Sequence, residues 1–466
     1  MFRLLSRCSH ILMQDDFIVA AITRNRRTDM IDDKVRTNVL RAVDSLKDEL
    51  VQLVCDIVRI PSVPPTPVGF SSTDTAVEIS GETQVNHVLK SVMESCGLET
   101  DLWEVEKGRA NLVGIWRGKG RGRSLLLNGH VDVVPPGPPE KWTVAGPWSG
   151  EIIEGKIYGR GSTDMKGGIA AAVFAMKALL KAGYRPKGDV FIQCVVGEEH
   201  HETYAGTGAA LQRGYRADAA IVCEPSTPPH KLSINTASPG LVLMHVKVKG
   251  KATHISNRDE LIRAGGLGAA VGVSAIDKMF LVYQALLKLE EEWGQTKCHP
   301  AFTRPGHFVL FPMVIQGGDL MAASIPEECS MTYIIWHPPQ DTAEGVAEEI
   351  QAHIARFAQT DPWLRENPPE VYVPLFSQPP FETSHEEPIC KAAAAASEAV
   401  FNRPANMYGS AFDCDAGHIR QAGIPTIVVG PGSQEVAHGF NEYVAIQDLL
   451  DAAKLYAMTI VEWCGI

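Results

Sequence analysis

Five short clusters of acidic and histidine residues, spread over more than three hundred positions, carry side chains suited to divalent cations. They are Gly129-His130-Val131-Asp132, Gly161-Ser162-Thr163-Asp164, Gly197-Glu198-Glu199, Cys223-Glu224-Pro225 and Ala437-His438. Carboxylate oxygens and imidazole nitrogens suit zinc, cobalt or manganese. Taken one at a time, each cluster has a plain explanation: a strand-end turn, a helix N-cap at Asp164, a charged loop, a turn before proline, a surface histidine. Taken together, they supply enough ligands for two ions and leave one carboxylate over to act as a base.

The spacing inside the clusters says more. On an extended backbone, residues i and i+2 point the same way. His130 and Asp132 can therefore converge, the histidine on a metal and the carboxylate on its far ring nitrogen, which fixes the tautomer of a ligand. Asp164 follows Tyr158-Gly159-Arg160-Gly161 and precedes Lys166-Gly167-Gly168 and an Ala-rich helix, where glycines let backbone approach something closely. Glu198 and Glu199 are adjacent carboxylates that repel unless a cation lies between them. One can ligate while the other takes a proton from water.

These residues need elements to place them. Helical periodicity runs over residues 31–58 and again over 85–96. Strands at 111–116, 124–127, 189–196 and 219–223 then alternate with helices at 168–182 and 205–211, which predicts an α/β sheet flanked by helices. From about residue 242 the order changes. A strand at 243–248, a helix at 273–292, strands at 308–315 and 329–336, a helix at 342–357 and a strand at 370–374 fit a ferredoxin-like α+β unit. The α/β pattern resumes with helices at 388–401, 414–421 and 445–462 and a strand at 426–429. Residues 31–241 and 377–466 thus predict a catalytic domain, and 242–376 an inserted one. Three of the clusters end predicted strands, where open α/β sheets bind their ligands.

A length of 466 residues suits two domains. The formal charge of −12 argues against a nucleic-acid partner. No apolar stretch of about 20 residues is present to span a membrane. The ten cysteines form no CxxC pair, and Cys194 and Cys223 lie in apolar runs, which predicts reduced thiols and a cytoplasmic protein. Residues 1–30 read as a disordered extension or a misplaced start, with Met13 and Met30 as alternatives.

The motifs GHVDVVP, YGRGSTDMKGG, GEE, CEPS and GPG followed by AHGFNEY occur in one order from about Leu50 onward. In this the chain resembles the two-zinc deacylase family of acetylornithine deacetylase and succinyl-diaminopimelate desuccinylase, related to glutamate carboxypeptidases and aminoacylases. The resemblance implies a zinc-peptidase-like catalytic domain with a mixed sheet, and a lid that also makes a homodimer. It implies that Asp164 bridges two ions, most simply Zn2+ with Co2+ or Mn2+ as alternatives. His130 and Glu224 would complete one ion's ligands, Glu199 and His438 the other's. Glu198 would be the general base and Asp132 the support of His130. A cis peptide would follow Asp164, and His254, in many members acting on the partner subunit's site, would stabilise an oxyanion.

The chain departs from many relatives in the lid, where Ala323-Ser324-Ile325-Pro326 and Ile335-Trp336-His337 stand in place of an Asn and an Asp-x-Arg. Arg258 and Arg263 in the lid loop, together with Ser324 and Ser410, are the candidate substrate contacts. The expected activity is hydrolysis of the amide bond in a small N-acylated amino acid or related N-acyl amine. A dipeptidase or carboxypeptidase and a catalytically inactive binding homologue are the alternatives.

Overall fold

The computed structural model describes residues 32–65, 80–226, 229–262, 266–302 and 307–466. The extension expected at residues 1–30 and the candidate Arg263 lie outside them. In chain order the helices are α1 Asp33–Asp44, α2 Lys47–Val58, α3 Glu82–Ser95, α4 Gly167–Lys181, α5 Thr207–Gln212, α6 Arg258–Ile262, α7 Ala275–Thr296, α8 Ala343–Ala358, α9 Pro362–Glu366, α10 Pro388–Phe401, α11 Ala416–Gln421 and α12 Ile446–Cys464. The strands are β1 Glu99–Glu106, β2 Arg109–Trp116, β3 Leu125–His130, β4 Glu151–Ile153, β5 Lys156–Tyr158, β6 Val190–Val195, β7 Ala219–Val222, β8 Ile234–Ser238, β9 Gly240–Lys249, β10 Leu310–Gly317, β11 Glu328–His337, β12 Glu370–Gln378, β13 Phe381–Glu382, β14 Met407–Gly409, β15 Thr426–Val428 and β16 Tyr443–Ala445.

A nine-stranded mixed sheet runs β1-β2-β6-β3-β7-β15-β8-β13, with β14 beside β8. Its centre, β6, β3, β7 and β15, is parallel. The central strands are apolar without alternation because both faces are covered. Leu125 and Leu127 enter the core shared with α2, α4 and α12, while Leu126 between them enters a second core with α11. The parallel strands direct His130 and Glu224 to the same edge of the sheet.

A separate four-stranded antiparallel sheet, β10-β11-β9-β12, carries α7 and α8 on one face. Here the strands do alternate. Val242, Met244, Val246 and Val248 are buried against the helices, while Leu243, His245 and Lys247 face the other way and are half-buried. The strand order is that of the ferredoxin-like unit expected from the sequence. A small third sheet, β16-β5-β4, sets Tyr443 opposite Tyr158 and so brings the end of the chain to the Asp164 turn.

One expectation changes. The helical run over 31–58 is two helices, because the chain breaks at Ser45, whose hydroxyl bonds back to the Ala42 carbonyl. The apolar period survives the break because Leu46 stays in the core. The polar edge strand β1 has no alternating pattern, and pairing with β2 specifies it instead.

Candidate active site

His130 closes β3, and Glu224 lies two residues past the end of β7. The Asp164 turn joins β5 to α4 and contains a cis peptide between Asp164 and Met165. Glu198 and Glu199 follow β6, and His438 lies in the loop between β15 and β16. These five segments converge. His130 Nε2 is 3.2 Å from Glu224 Oε1 and 3.3 Å from Asp164 Oδ1. His438 Nε2 is 3.3 Å from Asp164 Oδ2 and 3.1 Å from Glu199 Oε2. The two Asp164 oxygens thus face two different ligand sets, each compact enough for one ion. Glu198 Oε2 stands 3.7 Å from His130 Nε2.

The donor chemistry fits a cation at each set. His130 Nδ1 lies 2.9 Å from the Asp132 backbone carbonyl, which makes it the N–H nitrogen. Nε2 then presents a lone pair to a ring of carboxylate oxygens, and it is buried without a hydrogen-bond partner. Lone pair against lone pair is unfavourable unless a cation sits between them. Ligand bonds of roughly 2.0–2.1 Å in a tetrahedral zinc site place neighbouring donor atoms about 3.3 Å apart, which matches the separations here.

The electrostatics of the protein groups agree. Burial pushes Glu198 well above the usual carboxylate range, with repulsion from Glu224 and Glu199 adding to it. Burial and the nearby Asp164 push Glu224 up to about 8. Half-exposed as it is, His438 loses hydration that would favour its charge, but the Asp164 and Glu199 carboxylates prevail and raise it to about 11. Burial would raise Asp164, yet the His130 and His438 rings beside it hold it well below its ordinary value.

Asp132 serves the site differently from the expectation. Its carboxylate stands 3.7 Å from the His130 ring, and its Oδ2 instead accepts from the Glu199 backbone N–H at 3.0 Å. The backbone carbonyl of Asp132 fixes the histidine.

The other candidates sit apart. His254 is exposed, bonds Ser256 at 2.8 Å, and pairs its backbone with Ser324. Arg258 is ion-paired with Asp277 at the start of α7. Ser410 is fully buried, with its hydroxyl donated to the carbonyls of Ala237 and Phe412, so it has no proton to offer a substrate.

Sequence reasoning assigned no role to Glu442 and Arg160, which brace the bridging turn. Glu442 is buried and accepts the N–H groups of Thr163 and Asp164 at 2.9 and 3.2 Å. Arg160 bonds Glu442 at 2.6 Å and the His438 carbonyl at 3.1 Å. Both lie inside motifs already singled out, YGRGSTDMKGG and AHGFNEY, and that is the signal that could have found them.

Residues 126–462 match the model of peptidase family M20/M25/M40. The chain is 34% identical to the N-formyl-4-amino-5-aminomethyl-2-methylpyrimidine deformylase of Halalkalibacterium halodurans, over 91% of this chain and 97% of that one. It is 26% identical to the succinyl-diaminopimelate desuccinylase of Rhodospirillum centenum, over 89% of this chain and 97% of the relative. Human carnosine dipeptidase 1 shares the fold with a TM-score of 0.69 at 15% identity, over 93% of this chain and 99% of that chain. An M20 family metallo-carboxypeptidase from Sulfolobus solfataricus does so at 0.65 and 19%, over 90% and 99%. The chain belongs to peptidase family M20/M25/M40 and is a metal-dependent amidohydrolase of that family.

Proposed function

We propose that the protein removes a small acyl group from an amine, and that an N-formylated aminomethylpyrimidine is the substrate to try first. Relatedness to the deformylase over nearly the full length of both chains supports the choice. The observation that carries the chemistry is the bridging geometry of Asp164, with Glu198 beside it. His130, Asp164 and Glu224 would hold one ion, and Asp164, Glu199 and His438 the other. Zinc suits these donors. When bound, the ions polarise the amide carbonyl and make water acidic enough to attack near neutral pH. Glu198 accepts the proton of the attacking water and passes it to the nitrogen of the leaving amine. Asp132 keeps the His130 tautomer and holds the Glu199 backbone.

In this reading residues 31–241 and 377–466 form the catalytic domain, and 242–376 form the lid. The lid makes a homodimer through β10, an edge strand whose Phe311, Met313, Val314 and Ile315 are exposed. His254, exposed on the lid, then serves the other copy's centre. Cys55, Cys194, Cys223, Cys329, Cys390, Cys414 and Cys464 are buried free thiols, which suits the reducing cytoplasm.

The test is a hydrolysis panel on zinc-loaded protein: the formylated aminopyrimidine, N-acetyl and N-succinyl amino acids, and dipeptides. The formyl amide should turn over best, and a chelator should stop it. Glu198→Ala should lower turnover by about 10²–10⁴-fold, the range for a lost general base, while retaining bound metal. Turnover that persists in the presence of chelator, or in Glu198→Ala, overturns the reading.

A further inference from the structure

Glu198 and Glu199 lie on a loop, residues 196–206, rather than on a strand, so something must fix where they point. Two turns fold around the pair. The Glu202 N–H donates to the Gly197 carbonyl at 2.6 Å, and the His201 N–H donates to the Glu198 carbonyl at 2.7 Å. Gly197 has φ +80°, and an added Cβ there would meet Glu202 Cβ at 3.0 Å, so Glu202 packs directly on the start of the turn. The Glu202 carboxylate is held from outside the loop. Its Oε2 accepts from Arg109 Nη1 at 2.5 Å.

Arg109 is itself immobilised. It is 4% exposed, and Glu82 of α3, fully buried, grips it with both oxygens at 2.7 and 3.0 Å. Glu106 adds a contact at 2.7 Å. Two positions along β2, on the same face, Asn111 ties both ends of the loop. Its Oδ1 accepts the Val196 N–H at 3.1 Å, and its Nδ2 donates to the Ala205 carbonyl at 2.7 Å. A salt bridge serving only to dock α3 would need Glu82 alone. The third carboxylate extends that rigid anchor to the loop carrying Glu198 and Glu199.

We propose that Arg109 is a positioning residue, which through Glu202 sets the place of the Glu198–Glu199 pair. This rests on the roles given to those two glutamates above. Because one loop carries both, loosening it strikes the base and one metal site together. The His130–Glu224 set takes both residues from outside that loop and is spared.

Glu202→Ala is the variant of choice, because it cuts the tether while leaving Arg109 paired with Glu82 and Glu106. Arg109→Lys is the second variant, and Glu202→Gln, which keeps an acceptor, is the conservative control. Three quantities are read on the full-length protein: kcat and KM on the formylated aminopyrimidine, zinc affinity of each site by chelator competition, and melting temperature. Glu202→Ala should lose about 100-fold in kcat, the scale of a 1 Å misplacement, with KM changed less than about twofold. One of the two zinc affinities should fall by about tenfold and the other should hold, and Glu202→Gln should recover part of both losses. If Glu202→Ala and Arg109→Lys keep wild-type kcat and both zinc affinities while melting earlier, Arg109 is a folding anchor and the proposal is overturned. Wild type and Glu198→Ala run beside them. A wild type that holds fewer than two zinc ions, or an active Glu198→Ala, refutes the assigned roles themselves, and the positioning proposal falls with them. The zinc measurement decides independently of the substrate.

Discussion

The two halves of the centre are built by opposite means. His130 and Glu224 follow directly from buried parallel strands whose backbone groups are paired, and both side chains are almost fully buried. Glu199 and His438 stand on loops, and the His438 ring is 55% exposed. The first half inherits its geometry from the sheet. The second must be assembled from tethers: Asp132 on the Glu199 backbone, Arg160 on the His438 carbonyl, and Arg109 on Glu202. Asp164 belongs to both, and Glu442 braces it through its own N–H. A sheet edge gives rigidity without dedicated residues, whereas a loop site needs a buried ion pair behind it.

Three experiments would break or sharpen that contrast. The largest effect is expected at the shared residue. Asp164→Ala should remove both ions and bring turnover below detection, whereas His438→Ala should release one ion and keep the other. Metal analysis after gel filtration at matched free zinc reads the difference. If His438→Ala loses both ions, the halves are not independent.

A pH series comes next. The neighbouring carboxylates raise His438 to about 11, so at neutral pH it carries a proton that an ion must displace. Its half should therefore bind more weakly as pH falls, by up to about tenfold per unit for each proton displaced. Zinc titrations at pH 6, 7 and 8 on wild type and His438→Ala test this. The variant should lose that part of the slope, and an unchanged slope would place the displaced proton elsewhere.

The smallest effect is expected in the lid. Arg258→Ala should alter kcat/KM by less than about twofold, and stability by about 0.2–1 kcal/mol, as for an exposed ion pair. A large rise in KM would return Arg258 to the substrate.

What the sequence made legible tracks this same division. The strand-end candidates could be read because an apolar run ending in Gly-His or Cys-Glu fixes both the element and the side of the sheet. The four-stranded unit could be read because only one of its faces is covered, so its strands alternate. Which brace meets which could not be read, even for residues inside the motifs, because they are pairings across distance. Arg160 and Glu442 are 282 residues apart, and Arg109 and Glu202 are 93 apart. Periodicity carries no information about which charged side chain finds which. Asp132 shows the finer limit. Its position beside His130 was evident, but the choice between its backbone carbonyl and its carboxylate is settled by sub-ångström geometry. Ser410 shows the converse, a polar residue singled out in the sequence whose hydrogen bonds turn inward.

Lys166, two residues past the bridging aspartate, is fully buried and donates to the Ile57 and Ile60 carbonyls at 2.9 Å each. Burial lowers it to about 7. The C-terminal end of α2 is therefore the seat on which the bridging turn rests. Removing the segment before residue 61 would take away both of these acceptors, two residues along the chain from the carboxylate that both halves share. The opening helices, which contribute no ligand, thereby become a condition for assembling the centre.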